Sequence, residues 1–205
     1  LAETGECCFE GVSLQGIRAV KEPYEVEATR KAGRIAAAAF ADLLAYIKPG
    51  MTERELAARL ESNMLLAGSE EKAFDTIVAS GRRSAMPHGT ATDKAVAAGE
   101  FITFDFGAVC DGYHSDMTRT VVVGRADDEQ KRFYNLVLEG QRLGIDAVRA
   151  GAVCSEVDGV VRRFFEKHEK AQYFTQKIRN ILRIQSAPST TDIIDGALFC
   201  TSLHI

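Results

Sequence analysis

Apolar residues recur at helical spacing between residues 24 and 47. Val26, Ala32, Ile35, Phe40, Leu43, Leu44 and Ile47 fall on one face. Pro23 stands just before this stretch, and Lys48-Pro49-Gly50 stops it. Thr52-x-x-Glu55 is a capping-box signature that opens a second helix over 53–66, with Leu56, Leu60 and Met64 inward. The period then changes. Residues 74–81 (FDTIVASG) are short and β-branched, which predicts a strand. A polar, glycine-rich loop over 81–100 holds Pro87-His88-Gly89. Two more β-prone runs, FITFDFGAV and YHSDMTRTVVV, are joined by Cys110-Asp111-Gly112, a hairpin signal. Asp127 or Asp128 then caps a helix over about 129–149, and Ser155-x-x-Asp158 opens another that runs to about Lys167. The order helix, helix, strand, loop, strand, strand, helix, helix predicts an α/β (α+β) domain with antiparallel pairing.

The ends read differently. Residues 1–20 keep no period and form a lead-in, residues 21–175 form the domain, and residues 176–205 form an atypical tail. No cap, period or turn ties that tail to what precedes it, although 177–184 could form a short helix. The chain starts with Leu, which suggests a processed or excerpted product.

Composition changes the picture mainly by exclusion. A net charge of −4 with no run of Lys or Arg argues against nucleic acid as the main partner. No apolar run approaches the ~20 residues a membrane helix needs, and no signal-peptide pattern opens the chain. The five cysteines, Cys7, Cys8, Cys110, Cys154 and Cys200, show neither metal spacing nor a disulfide framework. They read as reduced thiols of a cytoplasmic protein, and Cys110 at the hairpin tip points away from the ladder.

The sharpest chemistry lies in the hairpin. A turn centred between Cys110 and Asp111 sets Asp105 directly opposite Asp116. Directly opposed residues have Cβ atoms roughly 4.5–5.5 Å apart. Two carboxylates that close repel unless a shared proton or a cation neutralises them. Spacing alone weighs a metal pair evenly against two ordinary acids near a turn. His88 precedes the hairpin in its Gly-flanked loop, where a ligand, a substrate clamp and a proton shuttle all stay open. His114 and Thr118 share the Asp116 face under strand alternation and are candidate braces for the acids.

The stretches FDTIVASGRRSAMPHG and DFGAVCDGYHSDMTRT, then the run VVVG, resemble the aminopeptidase P and Xaa-Pro dipeptidase branch of the pita-bread metallopeptidases. VKEPYEVEATRKAGRIA and KPGMTERELAARLE resemble that family's opening helices. The likeness runs from about Arg18 to Thr175. It implies a pita-bread fold and two divalent metals, Mn or Co (Zn or Fe as alternatives), held by two Asp, one His and two Glu. It implies that a hydroxide held by both metals attacks the peptide bond before a Pro at the second position of a peptide substrate. The family's two Asp ligands fall on Asp105 and Asp116, and its substrate-side loop His falls on His88.

The likeness stops at Gln176-Lys177-Ile178. The glycine-rich, His-bearing segment and the two Glu-bearing strands that follow in the family have no counterpart here. Two of the five ligands are therefore present. The expectation is a domain incomplete at its C-terminal end, as a shift of reading frame would give, with doubtful activity. Such a chain is expected to be marginally stable unless a second chain completes it, and a homo-oligomer stays open. Two other readings also stay open: a methionine aminopeptidase, and a non-catalytic protein that keeps the fold to bind peptide or protein.

Overall fold

The structure, a computed structural model, describes residues 18–173. The tail after Thr175, the helix expected at 177–184, and Cys7, Cys8, Cys200 and most of the lead-in lie outside the described residues.

Helix α1 spans Pro23–Leu44. Proline suits a first helical position, where its missing N–H would have no partner, and the Glu25 carboxylate reaches back to accept from the Glu22 N–H at 2.6 Å. Its buried face is Ala28, Ala32, Gly33, Ile35, Ala36, Ala39, Phe40 and Leu43. Leu44, expected inward, is 47% exposed, because helical spacing sets it beside exposed Ala37 and Ala41 and off the face that buries Leu43. Helix α2 spans Glu53–Leu66 and carries the expected capping box. Thr52 Oγ1 accepts from the Glu55 N–H at 3.1 Å, and the Glu55 carboxylate accepts from the Thr52 N–H at 2.7 Å. Small side chains on α1 let α2 approach closely, and buried Asn63 Nδ2 donates to the Ala39 carbonyl at 3.1 Å.

The strands are β1 (Ile77–Ser80), β2 (Phe101–Phe106), β3 (Val109–Cys110), β4 (Tyr113–His114) and β5 (Met117–Val122). β1, β2 and β5 form one antiparallel sheet in the order β1-β2-β5, while β3 and β4 pair separately at the hairpin tip. Side chains alternate across a strand. Val78, Ile102, Phe104, Phe106 and Met117 therefore join the core beneath α1 and α2. Phe40 sits 5.3 Å from Phe106 in a stacked pair and 5.4 Å from Phe104 edge-on. The other face carries Ala79, Thr103, Asp105, Thr118 and Thr120.

The register differs from the expected one. Asp105 pairs with Thr118, not with Asp116. The turn is centred between Asp111 and Gly112, whose φ values are +51° and +73°. Positive φ at both central residues is the two-residue hairpin turn whose twist matches its strands. Moving the centre by one residue shifts every partner on β5 by two. Cys110 also departs from expectation: it lies in β3 and is buried at 4% exposure, rather than standing at the tip.

Helices α3 (Asp128–Ala147) and α4 (Cys154–Lys167) pack against each other. Asp127 is the cap of α3, its carboxylate accepting from the Gln130 N–H at 2.8 Å. The expected Ser155 cap is absent. The helix already starts at Cys154, and Asp158 pairs instead with Arg162 at 2.6 Å. Gly140 and Gly144 are the buried residues of α3, set against Phe164, Phe165 and Val161 of α4.

Candidate metal centre

Three sequence features build the site. β2 carries Asp105 on the face away from the helices. Thr118, directly across on β5, donates its hydroxyl to Asp105 Oδ1 at 3.1 Å. Next along the same face, Thr103 and Thr120 place their hydroxyl oxygens 3.4 Å apart.

Asp116 reaches Asp105 by another route than direct opposition. After Phe106 the ladder breaks, and Gly107 lies against the backbone of Ser115. Ser115 is buried and stitches the break: its N–H donates to the Ala108 carbonyl, and its Oγ accepts from the Ala108 N–H, both at 2.9 Å. Asp116 follows at once. Its Oδ1 is buried and has no hydrogen-bond partner among the described residues. A buried polar atom without a partner costs free energy and calls for an explanation.

Asp105 is 8% exposed. Burial first, and then the negative charge of Asp116, push its carboxyl up to about 6 from an ordinary 3.8. The Thr118 hydroxyl and the charge of His88 pull the other way without matching them. Two crowded carboxylates, one raised and one with an orphaned oxygen, are short of positive charge. Hard oxygen donors in that state fit a divalent cation. Among the described residues, however, no third His, Cys, Asp or Glu completes a group able to hold a metal ion.

His88 lies in the loop after β1, exposed, just past the one-turn 3₁₀ helix Gly81–Ala85. The loop folds back onto the sheet. Thr90 bridges Ile77, the β1 residue that pairs with Asp105. Gly89 packs on Ala79, where an added Cβ would stand 3.1 Å from the alanine methyl. This brings the His88 imidazole within electrostatic reach of Asp105. His114 goes elsewhere: its Nδ1 meets the Ala73 carbonyl at 3.1 Å, and the ring is exposed. Strand alternation does not carry from His114 to Asp116, because the ladder is interrupted between them.

Residues 27–181 match metallopeptidase family M24. The chain belongs to that family. Among M24 relatives, it is 38% identical over 165 residues to the Xaa-Pro dipeptidase of Pyrococcus furiosus, a match covering 80% of this chain and 47% of the relative. Solved M24-type structures agree with its fold. The X-Pro aminopeptidase of Thermotoga maritima superposes with a TM-score of 0.77 at 41% identity, over 78% of this chain and 46% of that one. The prolidase of P. furiosus gives 0.78 at 37% identity, over 85% and 52%. The fold is thus the pita-bread architecture, helices on an antiparallel sheet, and the chain spans about half the length of these relatives.

Gly107 and Ser115 shape this candidate site without standing out in the sequence. Their signal was present as a glycine two residues after the first acid and a serine just before the second. Their role shows only once the two backbones are seen to touch.

Proposed function

We propose that this chain supplies Asp105 and Asp116, with His88, to the centre of a metal-dependent peptidase acting at Xaa-Pro bonds. The observation that carries the reading is the orphaned, buried Asp116 oxygen beside an Asp105 carboxyl pushed up to about 6. Both acids would hold divalent metal, and Thr118 would orient Asp105 through its hydroxyl. When bound, such ions polarise the scissile carbonyl and lower the pKa of a water. His88, on a loop that closes over the acid face, would receive the substrate side of the scissile bond. The relatives' names, an Xaa-Pro dipeptidase, an X-Pro aminopeptidase and a prolidase, support Xaa-Pro peptides over Met-Xaa peptides. The crowded acid pair, only partly offset by Thr118 and His88, speaks against a chain that has lost its metal chemistry. Mn or Co are the metals proposed, in pairs, with further ligands beyond the two acids.

The test is calorimetric titration of the 205-residue chain with Mn²⁺ and Co²⁺, beside Asp105→Asn and Asp116→Asn. Saturable binding by the parent chain, lost in both variants, is expected. Equal heats in all three sink the metal reading. Hydrolysis of Xaa-Pro against Met-Xaa dipeptides then separates the two substrate classes.

A further inference from the structure

The loop that carries His88 is gripped at both ends by one buried carboxylate. Glu53 opens α2, a position usually exposed, yet it is 0% exposed here. Its Oε1 accepts from the Ser80 N–H at 2.8 Å and the Ser80 hydroxyl at 2.9 Å. Its Oε2 accepts from the Thr92 N–H at 3.1 Å and the Thr92 hydroxyl at 2.7 Å. Arg83 Nε lies 3.3 and 3.2 Å from the two oxygens. Ser80 is the last residue before the loop, and Thr92 stands where the loop has come back. One carboxylate therefore holds both ends of the stretch between them.

The backbone of α2 adds to the grip. The N–H groups of Glu53 and Arg54 donate to the Lys94 and Thr92 carbonyls, both at 3.0 Å. The first N–H groups of a helix have no partner within it, and here the loop supplies them. Arg83 also donates to the Thr90 carbonyl at 2.7 Å. Burial pushes the Glu53 carboxyl up, but the hydrogen bonds from Thr92 and Ser80 outweigh it and hold the group below the usual carboxylate range. The ionised form, with all its acceptor sites taken, is the one the fold selects.

We propose that Glu53 is a positioning residue for His88, setting the loop on the acid face of the sheet through Ser80, Arg83 and Thr92. Between those anchors, Gly89 seats on Ala79 and Thr90 bridges Ile77. A shift of either anchor lifts that seat and His88 with it. The functional meaning of this clamp rests on the reading of His88 given above. The geometry of the clamp does not.

Glu53→Gln keeps the shape and replaces one acceptor oxygen with a donor. Either Ser80 or Thr92 then faces a donor with its own donors, and one anchor lets go. The experiment is NMR on the full chain, reading the contact between Gly89 Hα and the Ala79 methyl together with amide exchange over residues 84–91. In the parent chain the contact is present. In Glu53→Gln it is expected to vanish and exchange over 84–91 to rise about tenfold, while the Phe40 contacts to Phe104 and Phe106 remain. Survival of the Gly89–Ala79 contact with unchanged exchange overturns the proposal, whatever the melting temperature does. Should Glu53→Gln not fold, Thr92→Val and Thr92→Ser decide. Loosening by valine alone supports the clamp, and equal behaviour of the two overturns it. A chain that fails to bind Mn²⁺ yet loosens in Glu53→Gln keeps the clamp and loses only the peptidase reading.

Discussion

Gly107 lies so close to Ser115 that a Cβ on it would stand 2.0 Å from the Ser115 carbonyl oxygen. The obstacle is backbone, so no side-chain rotation relieves it. This approach is what delivers Asp116 to Asp105 although the ladder does not pair them. Gly107→Ala is expected to destabilise the chain by about 1–3 kcal/mol or more. It is also expected to pull the two acids apart, so that the Asp105 carboxyl falls back toward its ordinary range. Urea unfolding gives the first effect, and NMR titration of the Asp105 carboxyl carbon gives the second. An unchanged urea midpoint would contradict the close approach.

The raised Asp105 carboxyl makes stability depend on pH. Unfolded, the group titrates near 3.8, and folded at about 6. Between those values the folded chain binds the extra proton, so stability falls as pH rises through the window. The contribution is fully present below about pH 4 and gone above about pH 6, with a size of up to about 3 kcal/mol. In metal-free buffer, Asp105→Asn should remove this slope and raise stability at neutral pH. A parent chain whose urea midpoint does not decline between pH 4 and 6, relative to Asp105→Asn, would refute it.

The hairpin turn carries its own test. Gly112 has φ +73°, and the Glu70 carboxylate accepts from the Asp111 and Gly112 N–H groups at 2.5 and 3.2 Å. A side chain at φ > 0 costs about 1–2 kcal/mol. Gly112→Ala should lower stability by about that much, and Glu70→Ala by about 1 kcal/mol. Because Asp111 and Gly112 share the Glu70 carboxylate, the double variant should cost less than the two losses added, measured as a double-mutant cycle.

Gly140 is buried in the seam between α3 and α4. An added Cβ would meet two ring atoms of Phe165 at 3.0 and 3.1 Å and one of Phe164 at 3.3 Å. Alanine improves helix propensity by about 1 kcal/mol, but overpacking costs about 1–3 kcal/mol. The paired rings, 5.5 Å apart and edge-on, leave little room to yield. Gly140→Ala is therefore expected to lower the melting temperature, and a rise would show that the rings give way.

Much of the architecture was legible in local chemistry. The box at Thr52 and Glu55, the stop at Lys48-Pro49-Gly50, and the turn residues before Tyr113 each act within a few residues of themselves. The core face of α2 was read correctly from spacing because one helical face is all that spacing needs to specify. The acid pair was found, but its geometry was wrong: Asp105 faces Thr118. His114 failed for the same reason, since alternation holds only while the ladder is continuous. In the sequence, Glu53 marks only where the second helix begins. Its burial depends on Ser80, Arg83 and Thr92, which lie 27 to 39 positions away along the chain.

By itself, then, the sequence determined where the helices and β-prone runs lie, that a hairpin turns near Asp111-Gly112 although not its centre, and the presence of two acids and an imidazole near it. Those follow from propensity, capping and apolar period, which are short-range. Only the tertiary structure decided that Asp116 meets Asp105 across a broken ladder, that an oxygen of Asp116 has no partner among the described residues, and that Glu53 binds both ends of the His88 loop. Each of these depends on a backbone approach or a burial between distant segments. Their cost or gain exists only when the segments are in contact, so no local pattern encodes it.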